Sequence, residues 1–245
     1  MEDLAAAGMS KVEGSNLFEE EWDNLIVLDG CRADLYEEVV GESSYIYSSA
    51  SCTPDYIRKT FTDTTYEDVV YVSGNPWFHE SSLKELTGRE EIFHSVFDTF
   101  STDWSEDENT VLPEPLVRDA KTAKNLFEGK KLVVHFMQPH QPFVNADFSE
   151  EGSDLPPHLR DMNESNVWDK AESKSISREK VYSAYRDNLE FVMPYVEELV
   201  QDLDGKTVIT SDHGNLLGEG GLYGHPCGKD YEPLKKVPWD VRESE

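Results

Sequence analysis

Three short runs of consecutive apolar residues punctuate the chain: Leu25-Ile26-Val27-Leu28 after Asn24, Leu132-Val133-Val134-His135-Phe136 after Lys131, and Val208-Ile209 between Thr207 and Thr210. Runs of this length without polar alternation suit strands buried on both faces of a sheet. Each stops abruptly in polar residues, at Asp29-Gly30-Cys31-Arg32, at Gln138-Pro139-His140-Gln141-Pro142 and at Ser211-Asp212-His213-Gly214. A carboxylate and an imidazole side by side cannot both face the core of a strand, so Asp212-His213 is expected where the strand ends and Gly214 lets the backbone turn.

Between these runs the pattern changes to helical spacing. Helices are predicted over 33–40, over 55–61 with Pro54 opening it, over 114–127, and over 178–203, with Pro194 as a kink point because its ring removes a backbone donor. Further strands are predicted at 45–47, at 69–72 before the break Gly74-Asn75-Pro76, and at 91–97, and residues 237–241 read as an edge strand. Strand and helix alternate, which predicts an α/β fold, a doubly wound, mostly parallel sheet sandwiched by helices. In such sheets ligands gather outside the carboxyl ends of the strands, so the three polar stops are expected to converge. One domain over 1–245 accounts for the length, with a polar lead at 1–21 and an acidic stretch at 145–175 that reads equally as a lid or as a surface insertion.

Charge alters the picture of the surface rather than of the core. Fifty acidic residues against 22 basic ones leave a net charge of −28, spread along the whole chain. Self-repulsion on that scale is tolerable under strong screening, which points to a high-salt cytoplasm. Nucleic acid is disfavoured as a partner, because the basic residues are sparse and scattered. Cys31, Cys52 and Cys227 are an odd set at wide spacings, which argues against a disulfide framework and fits a reducing compartment. The start of the chain lacks a basic, apolar leader, and no apolar run is long enough to span a membrane, so the expected location is cytoplasmic. Oligomeric state is not legible.

Asp29, Asp212 and His213 form a mixed oxygen and nitrogen ligand set that suits a divalent ion, Zn²⁺ or Mn²⁺ before Mg²⁺ or Ca²⁺. Such an ion activates a hydroxyl and neutralises the oxygens of a phosphoryl or sulfuryl group. The turn Ser51-Cys52-Thr53-Pro54 supplies nucleophile candidates ahead of a helix, where the same residue types also serve as plain caps. His135 lies within an apolar strand and reads as a satisfied core or near-site histidine before it reads as a ligand.

Together these segments resemble the alkaline phosphatase and sulfatase superfamily, over roughly residues 22–228. The likeness is carried by Asp29-Gly30-Cys31-Arg32, the Ser/Thr/Cys-Pro turn, His140 between Pro139 and Pro142, and Thr210-Ser211-Asp212-His213-Gly214 with Leu222-Tyr223-Gly224-His225. It implies an alkaline phosphatase-like core and one or two metal ions. Asp29, Asp212 and His213 match metal ligands, His225 matches a second-metal or substrate position, and His140 matches a histidine that touches the transferred group or fills a second metal site. Thr53 is the leading nucleophile, with Cys52 next and Ser51 third; Tyr56 stands where a sulfatase-type arginine would be, which weighs against formylglycine at Cys52. Arg32 and Lys229 are candidates to meet an anionic substrate. The implied activity is hydrolysis or transfer of a phosphate or sulfate ester, a glycan ester among the options, and the other reading is a degenerate member that binds an anion, glycan or protein.

Overall fold

The computed structural model describes residues 9–144, 146, 148 and 167–243. In chain order its strands are β1 Asn24–Leu28, β2 Ser44–Tyr47, β3 Tyr66–Ser73, β4 Phe93–Asp98, β5 Trp104–Ser105, β6 Thr110–Val111, β7 Lys131–Phe136, β8 Lys206–Thr210, β9 Leu216–Leu217, β10 Tyr223–Gly224 and β11 Lys236–Glu243. The helices are α1 Ala33–Val39, α2 Thr53–Phe61, α3 Glu80–Thr87, α4 Thr99–Thr102, α5 Pro113–Leu126, α6 Val167–Glu172, α7 Arg178–Asp202 and α8 Glu232–Lys235. The expected α/β architecture is present, as a seven-stranded sheet in the order β2-β11-β8-β1-β7-β3-β4. Its five central and right-hand strands, β8 to β4 in that order, are mutually parallel.

The apolar runs are buried on both sides because successive residues feed different cores. Ile26, Leu28, Val134, Phe136 and Ile209 pack with α1, α5 and α7 residues such as Leu35, Val117, Leu189 and Val196. Leu25, Val27, Val133 and Val208 pack on the opposite face with Ile57 and Phe61 of α2 and Leu83 of α3. The lead at 1–21 is not simply polar, for Leu17 and Phe18 are buried in this second core with Trp22. Residues 1–8 lie outside the described set, as does most of the 145–175 stretch, of which the end forms α6.

Register places the site. Leu28 pairs with Phe136, Val27 with Thr210, and Ser73 with His135, so β1, β7, β8 and β3 end level with one another. The residues that follow these strands therefore arrive at one edge of the sheet.

One expectation changes. Residues 237–241 do not make an edge strand: β11 lies between β2 and β8, antiparallel to both, and β2 is the outer strand. The first half of β11 pairs with β2 and the second half with β8, a splice that only tertiary contact defines. The long helix α7 contains Pro194 within its span.

Candidate metal centre

Thr53 is the first residue of α2, and its hydroxyl lies 2.8 Å from Asp212 Oδ2 and 3.3 Å from His213 Nε2. Asp212 follows β8 and is fully buried; its other oxygen accepts from the backbone amides of Gly30 (3.2 Å) and His213 (3.0 Å). Those amides aim Oδ2 at the threonine. Asp29, the residue after β1, sits across from it, with Oδ1 3.7 Å from His213 Nε2. Asn75, after β3, donates its side-chain amide to Asp29 Oδ2. His135 Nε2 lies 3.5 Å from that same oxygen. Burial by itself would raise the Asp29 carboxyl, but the imidazoles of His140, His135 and His213 outweigh it and hold the group well below the usual carboxylate range.

Three histidines are oriented by the same device. His213 Nδ1 donates to the Gly214 carbonyl at 2.8 Å, His225 Nδ1 to Asn215 Oδ1 at 2.8 Å, and His140 Nδ1 to the Gln141 carbonyl. With Nδ1 committed to an oxygen, each ring turns its Nε2 toward the others, as metal-binding histidines do. The rings crowd together, His213 and His225 centred 4.6 Å apart and His140 and His225 4.8 Å apart. Burial and the neighbouring His213 and His140 push the His225 pKa well below its ordinary value, which favours its neutral form.

The residues present fit a divalent ion. His140 Nε2 and His225 Nε2 stand 3.4 Å apart, an arrangement that a shared cation satisfies. Asp29 Oδ1 and His135 Nε2 are buried without a hydrogen-bond partner, and unpaired buried polar atoms are costly unless something else meets them. Asp29, His135 and Asp212 place ligand atoms within 4.8 Å of one another. Oxygen and imidazole nitrogen together suit Zn²⁺ or Mn²⁺.

Gly30 shows how closely the strands approach. Its φ is +65°, and an added Cβ would lie 2.8 Å from Asn215 Nδ2 and 3.4 Å from His213 Cε1. Asn215 uses Nδ2 on the Gly30 carbonyl at 2.8 Å while its Oδ1 holds His225. Tyr185 of α7 donates to the same carbonyl. Asn188, one helical turn on, donates to the carbonyls of Pro139 (3.2 Å) and His140 (3.1 Å) and fixes the histidine loop.

Sequence reasoning named Thr53, Asp29, Asp212, His213, His140 and His225, and the structure brings these six side chains together. It read His135 as a core or near-site histidine, and the structure buries it beside Asp29; it did not name Asn75, Asn215 or Tyr71, whose hydroxyl lies 2.9 Å from His135 Nδ1. Asn75 had a local signal, the Gly74-Asn75-Pro76 break after a strand; Asn215 and Tyr71 had none. Other candidates lie elsewhere. Cys52 is disulfide-bonded to Cys227, which corrects the expectation of three free thiols and removes Cys52 as a thiol nucleophile. Ser51 gives its hydroxyl to the Pro226 carbonyl at 2.9 Å. Arg32, expected to meet an anion, is instead engaged by both oxygens of Asp34, by Glu219 (2.7 Å) and by the Asn215 carbonyl (3.0 Å). That clamp joins the end of β1 to the loop after β8. Lys229 is exposed, and its backbone amide, 3.2 Å from Ser51 Oγ, makes its contact in this region.

No protein-family model matches the sequence, and no curated protein matches it. Solved structures do. The integral membrane lipooligosaccharide phosphoethanolamine transferase A (EptA) of Neisseria meningitidis aligns with a TM-score of 0.56 at 14% identity over 96% of this chain. The chain spans 50% of that protein's length. The C-terminal periplasmic domain of phosphoethanolamine transferase EptC from Campylobacter jejuni aligns with a TM-score of 0.55 at 17% identity, over 89% of this chain and 78% of that one. A 2-O GAG sulfatase aligns with a TM-score of 0.54 at 11% identity, over 92% of this chain and 65% of that one. The chain thus shares the fold of these transferases and this sulfatase, the alkaline phosphatase-like α/β core expected from the sequence. Among the described residues no helix is long and apolar enough to cross a membrane.

Proposed function

We propose that this chain is a metal-dependent hydrolase or transferase of phosphate esters, with Thr53 as nucleophile. The observation that supports it most directly is the Thr53 hydroxyl, buried at a helix N-terminus and within 3.3 Å of both Asp212 Oδ2 and His213 Nε2. Asp29, Asp212 and His213, with His135 beside Asp29, would hold one ion near that hydroxyl, and His140 and His225 border the space for a second. When bound, such an ion lowers the pKa of the hydroxyl and neutralises phosphoryl oxygens.

The chain's own part is positioning and proton handling. Asp212 Oδ2 already shares the Thr53 proton, and Thr53 Oγ1 attacks phosphorus as that proton leaves. The ester P–O bond breaks, and the leaving oxygen departs as the alcohol with the proton released from Thr53. Water or an acceptor alcohol then attacks phosphorus, the P–Oγ1 bond breaks, and Thr53 takes up the proton that the attacking hydroxyl gives up. The Nε2 atoms of His140 and His225 face the same space and can bind oxygens of the transferred group once those oxygens carry protons. Phosphate is preferred to sulfate because the only cysteine beside the nucleophile position is in a disulfide, which leaves no thiol to become formylglycine. The resemblance in fold to transferases and to a sulfatase supports the ester class without choosing among them.

The setting we propose is saline, on the strength of the −28 charge. The disulfide supports an oxidising compartment over the reducing one expected from cysteine spacing.

The test is turnover of an aryl phosphate, a phosphodiester and an aryl sulfate in high salt with Zn²⁺, Mn²⁺ or Ca²⁺, alongside elemental analysis. Thr53→Ala and Asp212→Asn are expected to abolish turnover, and the quenched reaction to carry phosphate on the Thr53 peptide. A metal-loaded, unmodified protein inert toward all three esters overturns the proposal.

A further inference from the structure

The cross-link between Cys52 and Cys227 spans 175 residues of sequence and lands on both sides of the candidate site. Cys52 is the N-cap of α2 and immediately precedes Thr53; Cys227 follows His225 by two residues. Around the bond, Ser51 Oγ donates to the Pro226 carbonyl at 2.9 Å, the Lys229 amide reaches Ser51 Oγ at 3.2 Å, and the Gly228 amide reaches Asp55 Oδ2 at 2.9 Å. All of these contacts join the same two pieces, the start of α2 and the loop that carries His225.

That loop has little rigidity of its own. Gly218, Gly220, Gly221, Gly224 and Gly228 all take positive φ, a backbone that costs more conformational entropy to order than any other. Beyond the contacts to α2, His225 is held by its ring bond to Asn215, by the neighbouring rings of His140 and His213, and by β10, which pairs over two residues with β9 and reaches Glu172 of α6. Cys227 is an exposed residue while Cys52 is buried, so the bond has one end at the surface, where an external thiol approaches.

We propose that Cys52–Cys227 is a thiol-exchange site that sets the position of His225 relative to Thr53, so that the reduced chain keeps its fold but loses the assembled centre. This rests on the functional reading above. The chemistry is a dithiol exchange. A thiolate of an external dithiol attacks Cys227 Sγ, the S–S bond breaks, and Cys52 leaves as a thiolate that takes up a proton. The second thiol of the reductant then attacks the mixed disulfide and releases Cys227 as a thiol. The pair gains two electrons and two protons, and the reductant becomes a disulfide. Reversal needs only a disulfide oxidant.

The experiment compares oxidised protein, protein reduced with a phosphine, and the C52S/C227S double variant, all in high salt with Zn²⁺. Three quantities are read: turnover of the aryl phosphate, zinc bound per chain, and amide hydrogen exchange over residues 218–230 against β1 and β7. Reduction and the double substitution are each expected to speed exchange over 218–230 alone, to lower zinc occupancy, and to cut kcat/KM by at least about tenfold, since small misplacements of reacting groups are costly. Reoxidation restores the wild type and leaves the double variant unchanged. Unaltered exchange over 218–230 overturns the proposal, and so does faster exchange spread equally through β1 and β7, which would make the bond a staple of the whole fold. If the oxidised protein turns over no ester, the functional reading fails, while exchange and zinc content still decide the role of the disulfide.

Discussion

Gly30→Ala separates backbone strain from damage to the site. Gly30 has φ +65°, and a non-glycine residue there costs roughly 1–2 kcal/mol. The new Cβ would also lie 2.8 Å from Asn215 Nδ2, so that amide has to move. Moving it breaks the buried 2.8 Å bond to the Gly30 carbonyl, at about 1 kcal/mol or more. The sum is about 2–3 kcal/mol of stability. The functional loss should be larger in proportion, because Asn215 Oδ1 is what orients His225 and the alanine methyl also presses on His213 Cε1 at 3.4 Å. A displacement of an ångström at reacting groups costs on the order of 100-fold in turnover. Gly88→Ala is the control: φ is +73°, in the same left-handed region as Gly30, and nothing lies within 4 Å of an added Cβ. It should show the backbone cost alone and leave turnover unchanged. Urea unfolding gives the stabilities, and aryl phosphate hydrolysis with zinc analysis gives the site. If the two variants lose stability equally and Gly30→Ala keeps full turnover and zinc content, the close packing of β1 on the histidine loop is not what assembles the centre.

Other consequences are open to measurement. Tyr71→Phe removes the partner of His135 Nδ1, and zinc affinity should fall about tenfold with stability down about 1 kcal/mol; unchanged zinc titrations would show that His135 is not a ligand. Asp34 and Glu219 each face burial that would raise their pKa values, yet the Arg32 guanidinium holds both below the ordinary range. A depressed folded pKa gives stability that is present above the unfolded value and lost as pH falls through the folded one, so the clamp should fail in acid, below about pH 4. Arg32→Met should flatten that acid limb of thermal stability, and an identical limb would refute the clamp. Because the net charge is −28, the melting temperature should climb with KCl as well as with ammonium sulfate, since screening rather than salting-out alone is at work; a flat KCl series would remove the saline reading.

Much of the fold was legible because its signal is local. Continuous apolar runs need burial on both faces, and helical spacing between them needs layers to cover those faces, so β1, β7, β8, α5 and α7 could be placed within a few residues. Much of the candidate site was legible for a related reason: charged and imidazole side chains cannot stay inside such strands, so Asp29, Asp212 and His213 had to sit at strand ends. The Thr53 hydroxyl was readable only as one of three candidates in a turn. What separates them in space is the approach of α2 to β8, which sets Thr53 against Asp212 and turns Ser51 and Cys52 toward the loop at Pro226 and Cys227.

The sequence by itself therefore determined the long strands and helices but not α3 or the short elements, which residues are free to leave the core, and that the surface is acidic. Only the tertiary structure decided the order of strands, the insertion of β11 between β2 and β8, the Cys52–Cys227 pairing across 175 residues, and the aim of His135 at Asp29. The division follows from range. Burial and periodicity act on neighbours along the chain, whereas register, cross-linking and the direction of an imidazole depend on contacts between residues tens to hundreds of positions apart, and those exist only once the sheet has closed on its helices.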